Sequence, residues 1–355
     1  MERELAQLGT SDKTLIPARV TAQFSKQYRI VTREGELTAA VTGKYAYEAE
    51  SRSQFPSVGD WVLAEPLPGE SRAVIHVLLP RASYMSRREA GSVPDEQVIA
   101  ANMDTVFIVN ALNQDFNLRK IERYLIAVWE SGAQPVVVLT KADLCSSDPD
   151  EYVSQVASSA PGVPVHAVSS LAGKGMEAIS PYLQPGRTVA ITGSSGAGKS
   201  TLLNWLSGQE LQRVHGVRED DARGRHTTTH RELFILPGGA VMVDTPGMRE
   251  LQLWDSAEGW EEAFSDIENL AARCRFHDCS HRSEPGCAVR AALDEGTLDV
   301  GRYANYKKTQ KELVFQKRKE NAALKRHAGA GKGRTAKAVK GRRSGGAAYD
   351  DSSDE

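Results

Sequence analysis

The spacing of hydrophobic positions changes along this chain, and each change marks a different kind of structure. Between residues 18 and 79, short runs at 18–24, 28–32, 36–41, 58–64 and 73–79 alternate apolar with polar positions, with Gly-containing turns between them. Alternation at period two predicts strands with one buried face, and this series predicts a small β-barrel of OB or SH3-like type. Further along, apolar runs occupy 135–139, 163–168 and 240–243, and 187–191 reads as a short buried strand. An unbroken β-branched run such as Pro135-Val136-Val137-Val138-Leu139 predicts a strand covered on both faces, as in an α/β sheet. Thr201-Leu202-Leu203-Asn204-Trp205-Leu206 opens a helix after one of these runs, and 303–324 reads as another with basic residues on its polar side.

Between the run at 187–191 and that helix lies Gly193-Ser194-Ser195-Gly196-Ala197-Gly198-Lys199-Ser200, the spacing in which backbone N–H groups wrap a polyphosphate. Gly193 and Gly198 let the backbone approach phosphate without a Cβ clash, and the helix N-terminus adds partial positive charge. In this reading Lys199 reaches the β and γ oxygens and Ser200 binds Mg²⁺. Downstream, the run at 240–243 ends in Asp244-Thr245-Pro246-Gly247. An Asp there is placed to hold the Mg²⁺ shell, usually through water, and Gly247 to offer an N–H to the γ-phosphate. Alone, this tetrapeptide is also an ordinary turn, since Pro and Gly both form turns.

The run at 135–139 delivers Thr140-Lys141-Ala142-Asp143 at its C-terminal end, where open α/β sheets place their ligands. Asp143 can accept from the N1–H and 2-amino group of guanine, a donor pair that adenine lacks, and Lys141 can lay its stem along the base. Taken alone, these residues read equally well as a loop with a solvated Lys and Asp. The run at 163–168 then ends in Ser169-Ser170, from which a backbone N–H would reach guanine O6. Together the two loops point to GTP. Many GTPases have Asn where this chain has Thr140, so one supporting hydrogen bond is expected to differ. The guanine reader precedes the phosphate cradle, the reverse of an ordinary small GTPase. This predicts a circularly permuted domain, tolerable because domain termini usually lie close together at the surface.

Gly224-Arg225-His226-Thr227-Thr228-Thr229-His230 is a polar loop of the kind that γ-phosphate and Mg²⁺ order, with Thr228 the candidate to complete the metal shell. Met248 stands where many GTPases have a water-orienting Gln. His226 is the candidate for that task, since a neutral imidazole can position water or accept a proton near pH 7. A structural or RNA-facing histidine is the competing reading.

Three of the four cysteines lie together as Cys274-x4-Cys279-x-His281-x5-Cys287, a Cys₃His set suited to structural Zn²⁺. His277 is a substitute ligand and Cys145 an ordinary free thiol. Disulfides compete, but three cysteines leave one unpaired and no secretory signal is visible. The formal net charge of −2 hides an asymmetry: residues 301–345 hold 15 Lys and Arg against 2 Asp and Glu, a local balance of +13. The tail, rich in Gly, Lys, Arg and Ala, then turns acidic at Asp350-Asp351-Ser352-Ser353-Asp354-Glu355. A basic arm of this density beside a metal knuckle favours nucleic acid through phosphate contacts, with a merely solvated arm as the alternative. No apolar segment is long enough to span a membrane, which predicts a cytoplasmic protein with no membrane partner.

The ordered combination of barrel, permuted nucleotide domain and Cys₃His knuckle resembles the bacterial ribosome small subunit-dependent GTPase A family. The local matches are Glu96-Gln97-Val98-Ile99-Ala100-Ala101-Asn102-Met103-Asp104, Gly224-Arg225-His226-Thr227-Thr228-Thr229, and Cys279-x-His281-x-x-Glu284-Pro285-Gly286-Cys287. The likeness covers residues 15 to 320. It implies a multidomain chain with an N-terminal OB-fold β-barrel, a central circularly permuted α/β P-loop GTPase domain and a C-terminal helical zinc-binding domain. The expected limits are 1–85, 86–257 and 258–324, with a disordered basic then acidic tail over 325–355. It implies hydrolysis of GTP to GDP and phosphate late in 30S ribosomal subunit assembly, with 16S rRNA bound near the decoding region and stimulation by the small subunit. It also implies catalysis by His226 and one Zn²⁺ on Cys274, Cys279, His281 and Cys287. The chain is expected to act as a monomer. Competing readings are a GTPase with another target, such as tRNA or a membrane complex, and an RNA-binding assembly scaffold with a low-turnover nucleotide site.

Overall fold

The alternating N-terminal runs fold into strands β1 (Ile16–Gln23), β2 (Tyr28–Val31), β3 (Glu36–Val41), β4 (Trp61–Pro66) and β5 (Arg72–Leu78). They close into a barrel in the order β1-β2-β3-β5-β4, with β4 pairing back onto β1. β3 and β5 run parallel and the other pairs antiparallel. That is the Greek-key order of an OB fold. The inward positions Ala18, Val20, Ile30, Val62 and Ile75 are fully buried. Helix α1 (Gly43–Glu48) spans the gap between β3 and β4, capped by Thr42, whose hydroxyl accepts from Tyr45 N at 3.0 Å. The structure is a computed structural model and describes residues 15–88, 96–113, 116–208, 232–244, 257–315, 317, 318 and 322.

The run expected at 58–64 becomes a strand only from Trp61. Gly59 sits at φ 93°, and a Cβ there would lie 2.1 Å from Ala101 O, so the chain turns at closest approach instead of extending. The buried Asp60 carboxylate accepts from Ser57 N at 2.7 Å and takes both Nε and Nη2 of Arg81, at 2.8 and 2.7 Å.

A two-stranded antiparallel sheet, β6 (Tyr84–Arg88) with β7 (Glu96–Ala101), leads into a six-stranded one. Its strands are β8 (Thr105–Ala111), β9 (Gln134–Thr140), β10 (Val165–Ala167), β11 (Thr188–Gly193), β12 (Leu233–Ile235) and β13 (Val241–Asp244). In space they lie β10-β9-β8-β11-β13-β12, all parallel except β12 against β13. Every residue of β8 and β11 is buried, which explains why apolar side chains occupy both faces of each strand. Val106, Ile108 and Leu139 face one core, shared with helix α2 (Leu118–Glu130). Phe107, Val109 and Val138 face the other, shared with α4 (Lys199–Ser207). Ile121, Tyr124, Leu125 and Val128 of α2 are buried at helical spacing, and the Asn117 side chain caps the helix by accepting from Lys120 N at 3.2 Å. Helix α3 (Pro149–Ser159) adds Val156 to the α2 side.

Barrel and sheet meet at a buried cation. Arg19 of β1 donates from Nη2 to Thr188 Oγ1 at 2.8 Å and Asn102 O at 3.2 Å, from Nε to Gly59 O at 3.3 Å, and stacks on Trp61. Asp104 accepts from Thr188 N at 2.8 Å, and Asn102, at φ 55°, accepts from Ala82 N and donates to Gly59 O. Ala22 of β1 also forms an antiparallel bridge with Glu232, just ahead of β12.

Helices α5 (Ala257–Ala263), α6 (Ser265–Ala271) and α7 (Ala288–Asp294) follow. Gly259 of α5 lies so close to α2 that a Cβ would fall 2.6 Å from Ile126 O. Beside it Arg302, almost fully buried, donates Nε and Nη2 to Asp266 at 2.8 and 2.6 Å, Nη2 to Ala263 O at 2.9 Å, and Nη1 to the buried Glu122 at 3.3 Å. The chain divides into compact units Met1–Asn305 and Tyr306–Glu355. Within the second, 306–315 are helical, and the expected tail at 325–355 lies outside the described residues. Among the described residues no helix is long and apolar enough to cross a membrane.

Candidate functional site

β8, β9, β11 and β13 are parallel, so their carboxyl ends line one edge of the sheet, and both expected ligand loops leave from it. The cradle leaves β11 and the reader leaves β9, with only β8 between them. Their order in the chain is reversed, yet parallel pairing brings them to the same edge.

Gly193 ends β11 at φ 140°, where a Cβ would lie 2.1 Å from Val109 O. Only glycine lets the loop lift off the sheet at this spacing. Gly196 and Gly198 turn the loop at φ 75° and 87°, and α4 begins at Lys199. The Lys199 ammonium donates to Gly193 O at 2.8 Å and Ser194 O at 2.6 Å, which fixes the cation at the mouth of its own loop. Ser195 and Gly196 are exposed at the rim, Ala197 is buried, and Ser200 and Thr201 are half-buried in the first helical turn.

Thr140 is only 3% exposed. Its Oγ1 donates to Ala197 O at 2.6 Å and lies 3.4 Å from Asn110 O. The hydroxyl at the end of the reader strand therefore holds the cradle loop. Lys141 adopts a left-handed φ of 58°, and Ala142 N donates to Val168 O at 3.2 Å. Asp143 is exposed and its Oδ1 accepts from Ser169 Oγ at 2.5 Å. Ser169 Oγ also accepts from Ala172 N at 3.1 Å, while the Ser169 N–H goes to Lys174 O at 2.9 Å. Ser169 thus acts on Asp143 through its hydroxyl, its backbone N–H being committed inside the loop; Ser170 is half-buried beside it. Asp244 ends β13 in register with Ile191. His226, Thr228 and Gly247 lie outside the described residues.

Cys274 follows α6, Cys279 and His281 stand in a loop, and Cys287 caps α7 by accepting from Arg290 N at 3.4 Å. One ligand atom from each lies within 4.8 Å of all the others, a group that could hold a metal ion. Cys274 Sγ is 3.8 Å from Cys287 Sγ, and His281 Nδ1 is 3.6 and 3.5 Å from those two sulfurs. None of the four cysteines is in a disulfide, and His277 is not in the set.

Sequence reasoning did not assign Arg19, Glu122 and Arg302. No local signal joins Arg19 to Thr188 or Arg302 to Glu122, since these pairs stand far apart in the chain. Asn102 and Asp104 are visible only as part of a family-like stretch; Asn102 bonds the barrel at Gly59 O, and Asp104 holds the start of β11 at Thr188 N.

Comparisons with known proteins agree with this geometry. A family model described as RsgA GTPase matches residues 78–254. The small ribosomal subunit biogenesis GTPase RsgA of Opitutus terrae is 46% identical over 325 residues, 89% of this chain and 88% of that protein. The small ribosomal subunit biogenesis GTPase RsgA 2 of Lactiplantibacillus plantarum is 47% identical over 307 residues, 86% of each. The crystal structure of YjeQ from Thermotoga maritima superposes with a TM-score of 0.63 at 25% identity, covering 84% of this chain and 99% of that one. YloQ, described as a circularly permuted GTPase, gives a TM-score of 0.62 at 23% identity over 86% and 98% of the two chains, a likeness of fold.

Proposed function

This chain belongs to the RsgA GTPase family, and we propose that it hydrolyses GTP to GDP and phosphate in small ribosomal subunit biogenesis, the task named for its relatives. The observation that carries the reading is the junction of reader and cradle. The Thr140–Ala197 and Ser169–Asp143 bonds set a carboxylate for the base and a loop for the phosphates on one edge.

Asp143, aligned by Ser169, takes the guanine N1–H and 2-amino group, and a backbone N–H from Ser170 onward serves O6. Lys141 covers a face of the base between Thr140 and Ala142. The N–H groups of Ser194, Ser195, Gly196, Ala197, Gly198 and Lys199 wrap the phosphates, with Ser200 and Thr201 opening the helix beneath them. Ser200, Thr228 and Asp244 would hold Mg²⁺, which would supply positive charge to neutralise the phosphate oxygens. Gly247 donates to the γ-phosphate, and His226 positions the attacking water.

The Cys₃His donor set fits Zn²⁺. Tetrahedral bonds of about 2.3 Å to sulfur and about 2.0–2.1 Å to nitrogen require edges of roughly 3.8 Å between sulfurs and roughly 3.6 Å from sulfur to nitrogen. The corresponding separations are 3.8 Å between Cys274 and Cys287 and 3.6 and 3.5 Å to His281. Zinc there would hold together a loop-rich segment with little core of its own. The basic stretch over 301–345 supplies phosphate contacts for 16S rRNA, and the chain works as a cytoplasmic monomer. Its working parts are 1–85, 86–257 and 258–324, with 325–355 as an appended arm.

GTP turnover by the purified chain, measured alone, with 30S subunits and with tRNA, tests the reading. Stimulation by 30S and not tRNA is expected. No turnover with either would favour the scaffold reading, and repeating the assay without residues after Leu324 isolates the arm.

A further inference from the structure

His281 has φ 57°, a left-handed backbone that residues with a Cβ seldom adopt. Something must hold it there. The hydrogen bonds on both sides of it converge on one carboxylate. Glu284 Oε1 accepts from Ser280 N at 3.0 Å and Ser280 Oγ at 2.5 Å, and Oε2 accepts from Arg282 N at 2.9 Å and Ser283 N at 3.0 Å. These donors come from the residue before His281 and the two after it. They favour the charged carboxylate, the Ser280 hydroxyl most, and hold its pKa far below the usual range. The loop is tied to its surroundings as well: Arg290 Nη1 donates to Arg282 O at 2.8 Å, and Arg275 N to Gly286 O at 3.1 Å.

We propose that Glu284 is the positioning residue of the metal centre. By gathering the N–H groups around His281 it sets the left-handed turn that brings Nδ1 beside Cys274 and Cys287, and it does so without being a ligand. The proposal rests on the zinc reading above. A carboxylate that merely stapled the loop would act whether or not His281 was present. One that positions the imidazole acts through it.

The test measures zinc affinity of the full chain by chelator competition, together with the visible spectrum of the cobalt-loaded chain. Glu284→Ala should weaken zinc about 10–100-fold, the usual effect of losing an outer-shell partner. Glu284→Gln should fall between, because it keeps an acceptor for Ser280 but turns an NH₂ toward other donors. In a His281→Ala background, Glu284→Ala should change affinity by less than about twofold. The cobalt spectrum of Glu284→Ala should move toward that of His281→Ala. Full additivity in the double variant, or a Glu284→Ala chain that binds zinc like the parent, overturns the proposal. A parent chain that takes up neither zinc nor cobalt overturns the zinc reading itself and this one with it.

Discussion

Thr140→Val removes one hydroxyl and keeps the side chain's shape, so it isolates the bond between reader and cradle. That hydroxyl donates to Ala197 O at 2.6 Å from a side chain 3% exposed to solvent. A buried carbonyl deprived of its donor costs about 1–3 kcal/mol. In the free protein the loop can relax and let water reach Ala197 O, but closing around phosphates reverses that relaxation. The penalty therefore falls on binding. At about 1.4 kcal/mol per tenfold, affinity should drop roughly 5- to 150-fold. In the proposed function Ala197 belongs to the part of the loop that wraps both nucleotides, so GDP and a non-hydrolysable GTP analogue should lose the same factor. Calorimetric titration of the parent, Thr140→Val and Thr140→Ser measures it, with Ser keeping the hydroxyl and most of the affinity. Binding by Thr140→Val within about twofold of the parent would refute the argument. So would an equal loss in Thr140→Ser, which would assign the effect to the methyl group.

Other perturbations reach different links. Gly193→Ala puts a Cβ where Val109 O stands 2.1 Å away, so GTP binding should disappear in a titration while the barrel keeps its circular dichroism. Arg302→Met takes the guanidinium from Asp266 and leaves the buried Glu122 with Arg119, and a destabilisation of about 1–3 kcal/mol should appear as a lower thermal midpoint. Burial pushes the Glu122 carboxyl above its ordinary 4.5, against the opposing pull of Arg119 and Arg302. A carboxyl with a raised folded pKa destabilises at high pH, and relief comes as pH falls through that raised value. The Arg302→Met deficit should therefore be smaller at pH 5 than at pH 8; a larger deficit at pH 5 would reverse the assignment. His226→Ala should lower kcat by about 10²–10⁴-fold with nucleotide affinity preserved, and an unchanged kcat removes His226 from the chemistry.

Several elements were legible because their signal is local. The phosphate cradle is a fixed spacing of glycines and Lys199 between a strand and a helix, and the structure places β11 and α4 there. The knuckle residues are likewise close in sequence, and their ligand atoms do converge. α2 was overlooked, although Ile121, Tyr124, Leu125 and Val128 mark its buried face and Asn117 its start. The strand expected from 58 was displaced because a turn at Gly59 approaches Ala101 too closely for extended backbone. The difference at Thr140 was anticipated, but its partner was not, since Ala197 lies 57 residues away.

The sequence by itself determined the sheet strands and the helix after Lys199, the glycine-rich loop between them, the loop from Thr140 to Asp143, the Cys₃His cluster and their permuted order. Each is a pattern of neighbouring residues whose chemistry follows from spacing. Only the tertiary structure decided how these parts are joined. Arg19 finds Thr188 across 169 positions, and Arg302 finds Glu122 across 180. No local pattern encodes such pairs, because a buried charge takes its partner from whichever strands and helices the hydrophobic core has already brought alongside it.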